Sequence, residues 1–180
     1  ADYYERTMFN HILSTQHPDH GGYVYFTPVR PSHYRVYSAP NEAMWCCVGT
    51  GMENHGKYGQ FIYTHAGDAL FVNLYAASQL DWKERGITLR QETAFPYSEN
   101  STITIAEGKG TFNLMVRYPG WVHPGEFKVS VNGKPVDIIT GPSSYVSINR
   151  KWKKGDVVNI NFPMHSSLRY LPNEPQYIAF

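Results

Sequence analysis

Only two cysteines occur in this chain, and they are neighbours, Cys46 and Cys47. Adjacent Cα atoms lie about 3.8 Å apart across a trans peptide, short of the roughly 4.4–6.8 Å that a relaxed disulfide spans. With no third thiol, a disulfide scaffold is excluded and the pair needs a chemical explanation. Long apolar runs are missing too. No stretch of about 18 apolar residues occurs, so no segment reads as a membrane-crossing helix and no membrane partner is expected. The opening residues, Ala1-Asp2-Tyr3-Tyr4-Glu5-Arg6, have neither the basic nor the apolar region of a signal peptide. An excess of one charge is also absent: 16 basic residues against 15 acidic give a net charge of +1. No Lys/Arg stripe tracks a phosphate backbone, so nucleic acid is not an expected partner.

What is present is apolar and aromatic. With 180 residues, 42% of them hydrophobic, the chain can bury a core as one domain or as a small helical part joined to a sandwich. Aromatics make up 15%, including 14 Tyr, more than such a core requires. Some rings are expected to face sugars or a partner surface; others simply suit half-buried strands.

Hydrophobic periodicity divides the chain. Tyr4, Met8 and Ile12, with Phe9 and Leu13 alongside, predict an amphipathic helix over 2–13. From His17 to Asn41 a texture of His, Pro, Gly and Tyr, including Pro28 to Pro31, predicts a long loop with a short strand at Tyr23 to Thr27. Thr50-Gly51-Met52-Glu53 fits a capping box and predicts the start of a second helix, with Met52, His55, Tyr58 and Ile62 on one face. Gly56 and Gly59 weaken it, which implies either close packing or irregularity.

After about Thr64 the period becomes two. Runs at 69–76, 87–95, 102–106, 111–118, 126–131, 145–149 and 157–162 predict short antiparallel strands separated by Gly, Pro, Asn or Asp, and Val131-Asn132-Gly133-Lys134 predicts a hairpin turn. The expected fold is mostly β: an antiparallel β-sandwich preceded by a few helices and loops. Leu74, Leu89, Phe95, Leu114, Val129, Val131, Ile148 and Ile160 are its expected core. The chain stops in the apolar strand Tyr177-Ile178-Ala179-Phe180 without a turn, so it is expected to be a truncated piece of a longer protein.

Chemistry concentrates at 46–55. A thiol pair just before a helix N-terminus lies where the helix dipole favours a thiolate, the form that nucleophiles and metal ligands use. Two buried small hydrophobes are the plainer reading. Tetrahedral zinc needs four ligands, of which the pair supplies two. Glu42, Glu53, His55, His17, His20 and His33 are the candidates within the chain. His17 and His20 have a ligand-like spacing but also suit a turn; for His55 and Glu53, helix surface and capping are plainer roles.

Cys46-Cys47-Val48-Gly49-Thr50-Gly51-Met52-Glu53-Asn54-His55, with Leu89-Arg90-Gln91-Glu92-Thr93, Val131-Asn132-Gly133-Lys134-Pro135 and Arg150-Lys151-Trp152-Lys153-Lys154-Gly155-Asp156, resembles glycoside hydrolase family 127, the β-L-arabinofuranosidase type. The resemblance implies that residues 1–66 end an (α/α)6 catalytic barrel and that residues 67–180 form a β-sandwich. It implies a retaining hydrolase of β-L-arabinofuranosides or related plant-polysaccharide sugars, with carbohydrate as the partner. Cys46 would be nucleophile and zinc ligand, and Cys47 a second zinc ligand. The other ligands and an acid/base glutamate would come from upstream, so zinc is expected in the full-length enzyme and not in this stretch alone. The family's best-known members follow the pair with prolines, where this chain has Val48-Gly49. Polysaccharide-digesting relatives are often exported, which favours a periplasmic or secreted parent; nothing in the pattern specifies an oligomeric state. The alternative is a non-catalytic carbohydrate-binding or structural sandwich, with Trp82, Trp121 and Trp152 as sugar platforms or core.

Overall fold

The computed structural model describes residues 1–30 and 32–180, so Pro31, the end of the Pro28 to Pro31 stretch, lies outside the described residues. Two compact units follow one another, Ala1–Leu74 and Tyr75–Phe180.

In the first unit α1 (Asp2–Asn10) runs into a 3-10 turn (Ile12–Thr15), and after a long loop come α2 (Cys46–Lys57) and the single turn α3 (Gly59–Ile62). The predicted first helix is thus shorter than the apolar period suggested. The loop holds isolated bridges, Gln16 with Tyr23 and Val24 with Tyr37, in place of the expected short strand. Tyr4 of α1 packs on Phe61 at 4.5 Å between ring centroids and meets Tyr58 edge-on at 6.3 Å. The glycines behave differently from one another. A Cβ added at Gly56 or Gly59 would meet nothing, and the helix breaks between them at Tyr58. Gly51 is the one that packs: a Cβ there would sit 2.7 Å from the Tyr23 ring. The unit ends in an antiparallel hairpin, β1 (Tyr63–Ala66) with β2 (Ala69–Val72), turned by Gly67 at φ 60°.

Strands β3 to β12 make up the second unit. A six-stranded antiparallel sheet has the order β3 (Ser78–Trp82), β4 (Ile87–Thr93), β5 (Asn100–Glu107), β10 (Val157–Asn161), β7 (Lys128–Val131), β8 (Lys134–Pro135). The long strands β6 (Lys109–Tyr118) and β9 (Ser144–Lys153) pair from Lys109↔Lys153 to Tyr118↔Ser144. Alternate residues on each strand point inward because the strand period is two. Leu89, Ile103, Ile105, Val158 and Ile160 from the sheet, and Phe112, Leu114 and Val116 from β6, are essentially inaccessible to solvent. Trp82 of β3 meets Phe112 of β6 edge-on at 5.6 Å, which is the sandwich contact. Beyond Arg85 no helix occurs among the described residues, and a last hairpin, β11 (Arg169–Leu171) with β12 (Glu174–Ala179), is exposed throughout.

Of the expected core, Phe95 is the exception. It follows the end of β4, is half-buried, and stacks on Trp121 at 5.8 Å, whereas the other seven are buried. The hairpin turn forms as predicted, with Asn132 at φ 50° and Gly133 at φ 78°, the left-handed pair that an Asn-Gly turn uses.

That turn is tied to the next one. Asn132 Nδ2 donates to Asp156 Oδ1 at 2.8 Å, Lys153 N–H donates to Asp156 Oδ2 at 3.0 Å, and Asn132 Oδ1 accepts from Val157 N–H at 2.8 Å. Arg150 Nη2 lies 3.5 Å from the same buried carboxylate. Burial alone would push the Asp156 carboxyl up; the Asn132 amide, the Lys153 N–H and Arg150 outweigh it and hold it below the ordinary carboxylate range. As pH falls, the unfolded chain therefore takes up this proton first, and protonation favours unfolding. Asp156 contributes stability above about pH 4, and that stability is lost as pH falls through the lower folded value. In urea unfolding, Asp156→Asn is expected to cost about 1–3 kcal/mol at pH 7, with the gap from the wild-type chain closing below pH 4. A gap that stays constant with pH would remove Asp156 from the acid response.

Candidate active site

Cys46 and Cys47 are the first two residues of α2, capped by an extended Trp45 at φ −66° and ψ 152°. This corrects the capping-box reading. Thr50 lies inside the helix and its hydroxyl donates to Cys46 O at 3.4 Å, while Glu53 is exposed and pairs with Lys57 at 3.9 Å. The helix begins earlier because Val48 is buried and its N–H closes the first turn on Trp45 O at 2.9 Å. The thiols consequently stand at the N-terminal end of the helix, where negative charge is favoured.

Their immediate surroundings divide the pair. Tyr25, from the loop, brings its hydroxyl to 3.8 Å from Cys46 Sγ, and the two sulfurs are 3.8 Å apart. Hydrogen bonds from the Tyr25 hydroxyl and then from the Cys47 thiol hold the Cys46 thiol below the ordinary cysteine value. Serving Cys46 pushes the Cys47 thiol and the Tyr25 phenol up. Negative charge therefore settles on Cys46, the exposed member. In chelator-treated protein, iodoacetamide at neutral pH is expected to label Cys46 several-fold faster than Cys47, with Tyr25→Phe slowing Cys46. Peptide mass spectrometry reads the ratio; equal rates would contradict the division of charge.

The pair also fits a zinc ion. Two thiolates bonded at about 2.3 Å to a tetrahedral centre sit about 3.8 Å apart, the separation found here. Among the described residues the pair gathers no third His, Cys, Asp or Glu ligand. His17 and His20 stack on each other at 3.8 Å, and each Nδ1 accepts a backbone N–H, from Asp19 and Gly22 respectively, so they serve a turn. His55 Nδ1 lies 2.8 Å from Gly51 O, with the ring between Tyr23 and Tyr58, so it is a packing residue and not helix surface. Glu42 and His33 are exposed.

Beside Cys46, an open cleft of about 460 Å³ is lined by Tyr25, Phe26, Pro28, Tyr34, Val36 and Trp45. Exposed aromatic faces of this kind suit the C–H faces of a sugar ring. Two of the three tryptophans further on do not. Trp82 and Trp152 are buried, and Trp121 is half-buried against Phe95, which removes the first two as sugar platforms.

A second group of ligand-type residues escaped the sequence. His123, Glu126 and His165 bring one ligand atom each to within 4.8 Å of one another, a set able to hold a metal ion. The expectation that metal would be absent from this stretch of chain is therefore corrected. His123-Pro124-Gly125-Glu126 was the only local signal, and His165 lies 39 residues beyond Glu126.

Residues 69–164 match the middle domain of the β-L-arabinofuranosidases of family GH127, and residues 1–60 match the GH127 catalytic domain. The chain belongs to glycoside hydrolase family 127. The cysteine pair thus falls in the part that matches the catalytic domain, whereas His123 and Glu126 lie within the middle-domain match and His165 directly after its last residue. Solved structures similar to this GH127 chain include a protein described as a glycoside hydrolase, at TM-score 0.78 and 29% identity over 92% of this chain and 29% of that one. A GH127 β-arabinofuranosidase matches at TM-score 0.75 and 29% identity over 90% of this chain and 28% of that one. A GH127 β-L-arabinofuranosidase from Geobacillus stearothermophilus T6 matches at TM-score 0.75 and 29% identity over 92% and 28%. This chain spans 28–29% of the length of these relatives. No curated protein matches it. No helix among the described residues is long and apolar enough to cross a membrane.

Proposed function

We propose that this chain is part of a retaining glycoside hydrolase that cleaves β-L-arabinofuranosides or related plant-polysaccharide sugars, with Cys46 as nucleophile. In this reading residues 1–66 close the catalytic domain, residues 67–180 form the sandwich, and the parent is exported to the periplasm or medium. One observation carries it: in the segment matching the GH127 catalytic domain, an exposed thiol at a helix N-terminus is polarised by Tyr25 and Cys47 beside an aromatic cleft.

The Cys46 thiolate attacks the anomeric carbon as the C–O bond to the leaving group breaks, and an acid delivers a proton to the departing oxygen. Water then displaces sulfur from the S-glycosyl intermediate, giving up its proton to the same group and restoring the thiolate. Two displacements at one carbon retain its configuration. The acid/base group is the glutamate that family resemblance places in a longer chain. Cys46 and Cys47 would hold zinc, which when bound keeps the nucleophilic sulfur deprotonated at neutral pH. Tyr25 donates toward Cys46, and the cleft rings orient the sugar and exclude water from its apolar face.

Full-length protein should release p-nitrophenol from p-nitrophenyl β-L-arabinofuranoside, and NMR of the nascent sugar should show the β-anomer first. Inversion, or no turnover of any arabinofuranoside, would overturn the reading.

A further inference from the structure

We propose that His123, Glu126 and His165 form a binding site for a zinc-class divalent ion on the sandwich, separate from the cysteine pair. Two imidazoles and one carboxylate select late transition metals over calcium or magnesium, which take oxygen ligands. Three protein ligands leave a further position for water or another small ligand.

The geometry is nearly assembled. The His123 and His165 rings lie parallel, 4.4 Å between centroids and 13° between planes. Glu126 spans them, with Oε2 at 2.7 Å from His165 Nε2 and Oε1 at 4.0 Å from His123 Nδ1. Ligand atoms on a tetrahedral zinc with bonds of about 2.0–2.1 Å lie about 3.3 Å apart. The group is held within 4.8 Å, so a modest turn of exposed side chains closes it around an ion.

Both backbones that carry the ligands are already fixed. Val122 and Phe127 are buried on either side of the loop. Tyr118 Oη donates to His123 O at 3.0 Å and accepts from Gly125 N–H at 3.1 Å, and Glu126 N–H donates to His123 O at 3.2 Å. On the other side Phe162 is fully buried and stacks on Tyr75 at 4.5 Å. Its N–H donates to Glu99 O at 2.9 Å, and Met164 N–H donates to Glu99 Oε1 at 2.9 Å. Metal binding therefore orders little beyond three side chains, which keeps its entropic cost small. The ion would join the loop before β7 to the segment after β10, fastening the chain where it leaves the middle-domain match at residue 164. The competing role is a bare carboxylate bridge between two imidazoles, which needs no metal.

The test uses full-length protein stripped with chelator, carrying Cys46→Ser and Cys47→Ser so that the thiols bind nothing. Calorimetry with Zn²⁺ should show a bound equivalent and a raised melting temperature. His123→Ala and His165→Ala should each weaken binding by at least about tenfold and abolish the thermal shift. Should the serine variant fail to fold, metal analysis of the protein with its cysteines intact should show His165→Ala holding one zinc fewer per chain than the unaltered enzyme. Echo-modulation EPR with Cu²⁺ should detect two coordinated imidazoles. No binding, or zinc content and affinity indifferent to His123 and His165, overturns the site and leaves the carboxylate bridge. None of these readouts depends on glycosidase activity, so failure here is distinct from failure of the proposed reaction.

Discussion

Under the proposed reaction, replacing Cys46 with serine in the full-length enzyme is expected to lower kcat/KM on a β-L-arabinofuranoside by at least about 10³-fold, because loss of a covalent nucleophile costs that much or more. Serine is nearly isosteric, but its hydroxyl stays protonated where a thiolate forms, and neither the helix N-terminus nor Tyr25 can make up that difference in acidity. The effect should fall on kcat, with KM little changed, since the aromatic cleft beside Cys46 is untouched. Tyr25→Phe should produce a smaller loss, because it removes a hydrogen bond at Cys46 and leaves the sulfur in place. Rapid-quench mass spectrometry supplies an independent reading: a glycosylated peptide containing Cys46 should accumulate in the wild-type enzyme and be missing from the variant. Wild-type turnover by Cys46→Ser, with no labelled Cys46 peptide, would sink the assignment.

Truncating Trp152 to alanine is expected to destabilise the sandwich by about 3–5 kcal/mol, the range for a large buried aromatic. The side chain is fully inaccessible, stacks on Phe112 at 5.5 Å, and donates its indole N–H to Phe112 O at 3.1 Å. Arg150 lies over the ring as well, its guanidinium 5.0 Å from the ring centroid. Alanine would empty a volume that rigid strands on both sides cannot fill by relaxing. Trp152→Phe keeps most of the packing and loses the hydrogen bond, so it should cost only about 1–2 kcal/mol. Urea unfolding of the two variants checks both values. A Trp152→Ala loss below about 1 kcal/mol would mean that the ring is not part of the core.

Local features were legible wherever one short stretch of chain decides the outcome. The period-two runs become β2, β4, β5, β6, β7, β9 and β10 because alternation needs only neighbouring residues to declare a face. Strands β1 and β3 were missed: Tyr-Thr-His-Ala shows no apolar alternation and is held extended by its partner, whereas Ser-Gln-Leu-Asp-Trp does alternate, with Gln79 and Asp81 exposed, but its two apolar residues are too few to stand out. The Cys46-Cys47 pair was legible as chemistry through its adjacency, which rules out the ordinary structural use of cysteine. Its position in the helix was not, because Thr50 and Glu53 imitate a cap. Only the burial of Val48 shows that the first turn starts five residues earlier.

The amino-acid sequence by itself determined the family, the change from helical to extended period near Tyr63, the Asn132-Gly133 turn and the presence of an unpaired thiol pair. The last three are carried by residues within a few positions of one another, and the family by short local phrases recurring in order along the chain. Tertiary structure decided which aromatics are core and which line a cleft, since Trp82 and Trp152 look no different in sequence from Trp45 but are buried where it is exposed. It also brought the Tyr25 hydroxyl to Cys46, and His165 to Glu126 across 39 residues. Those juxtapositions depend on where the long loop folds back and where the strands end, and the free energy that fixes such positions comes from burying the whole core, to which no local pattern is a guide.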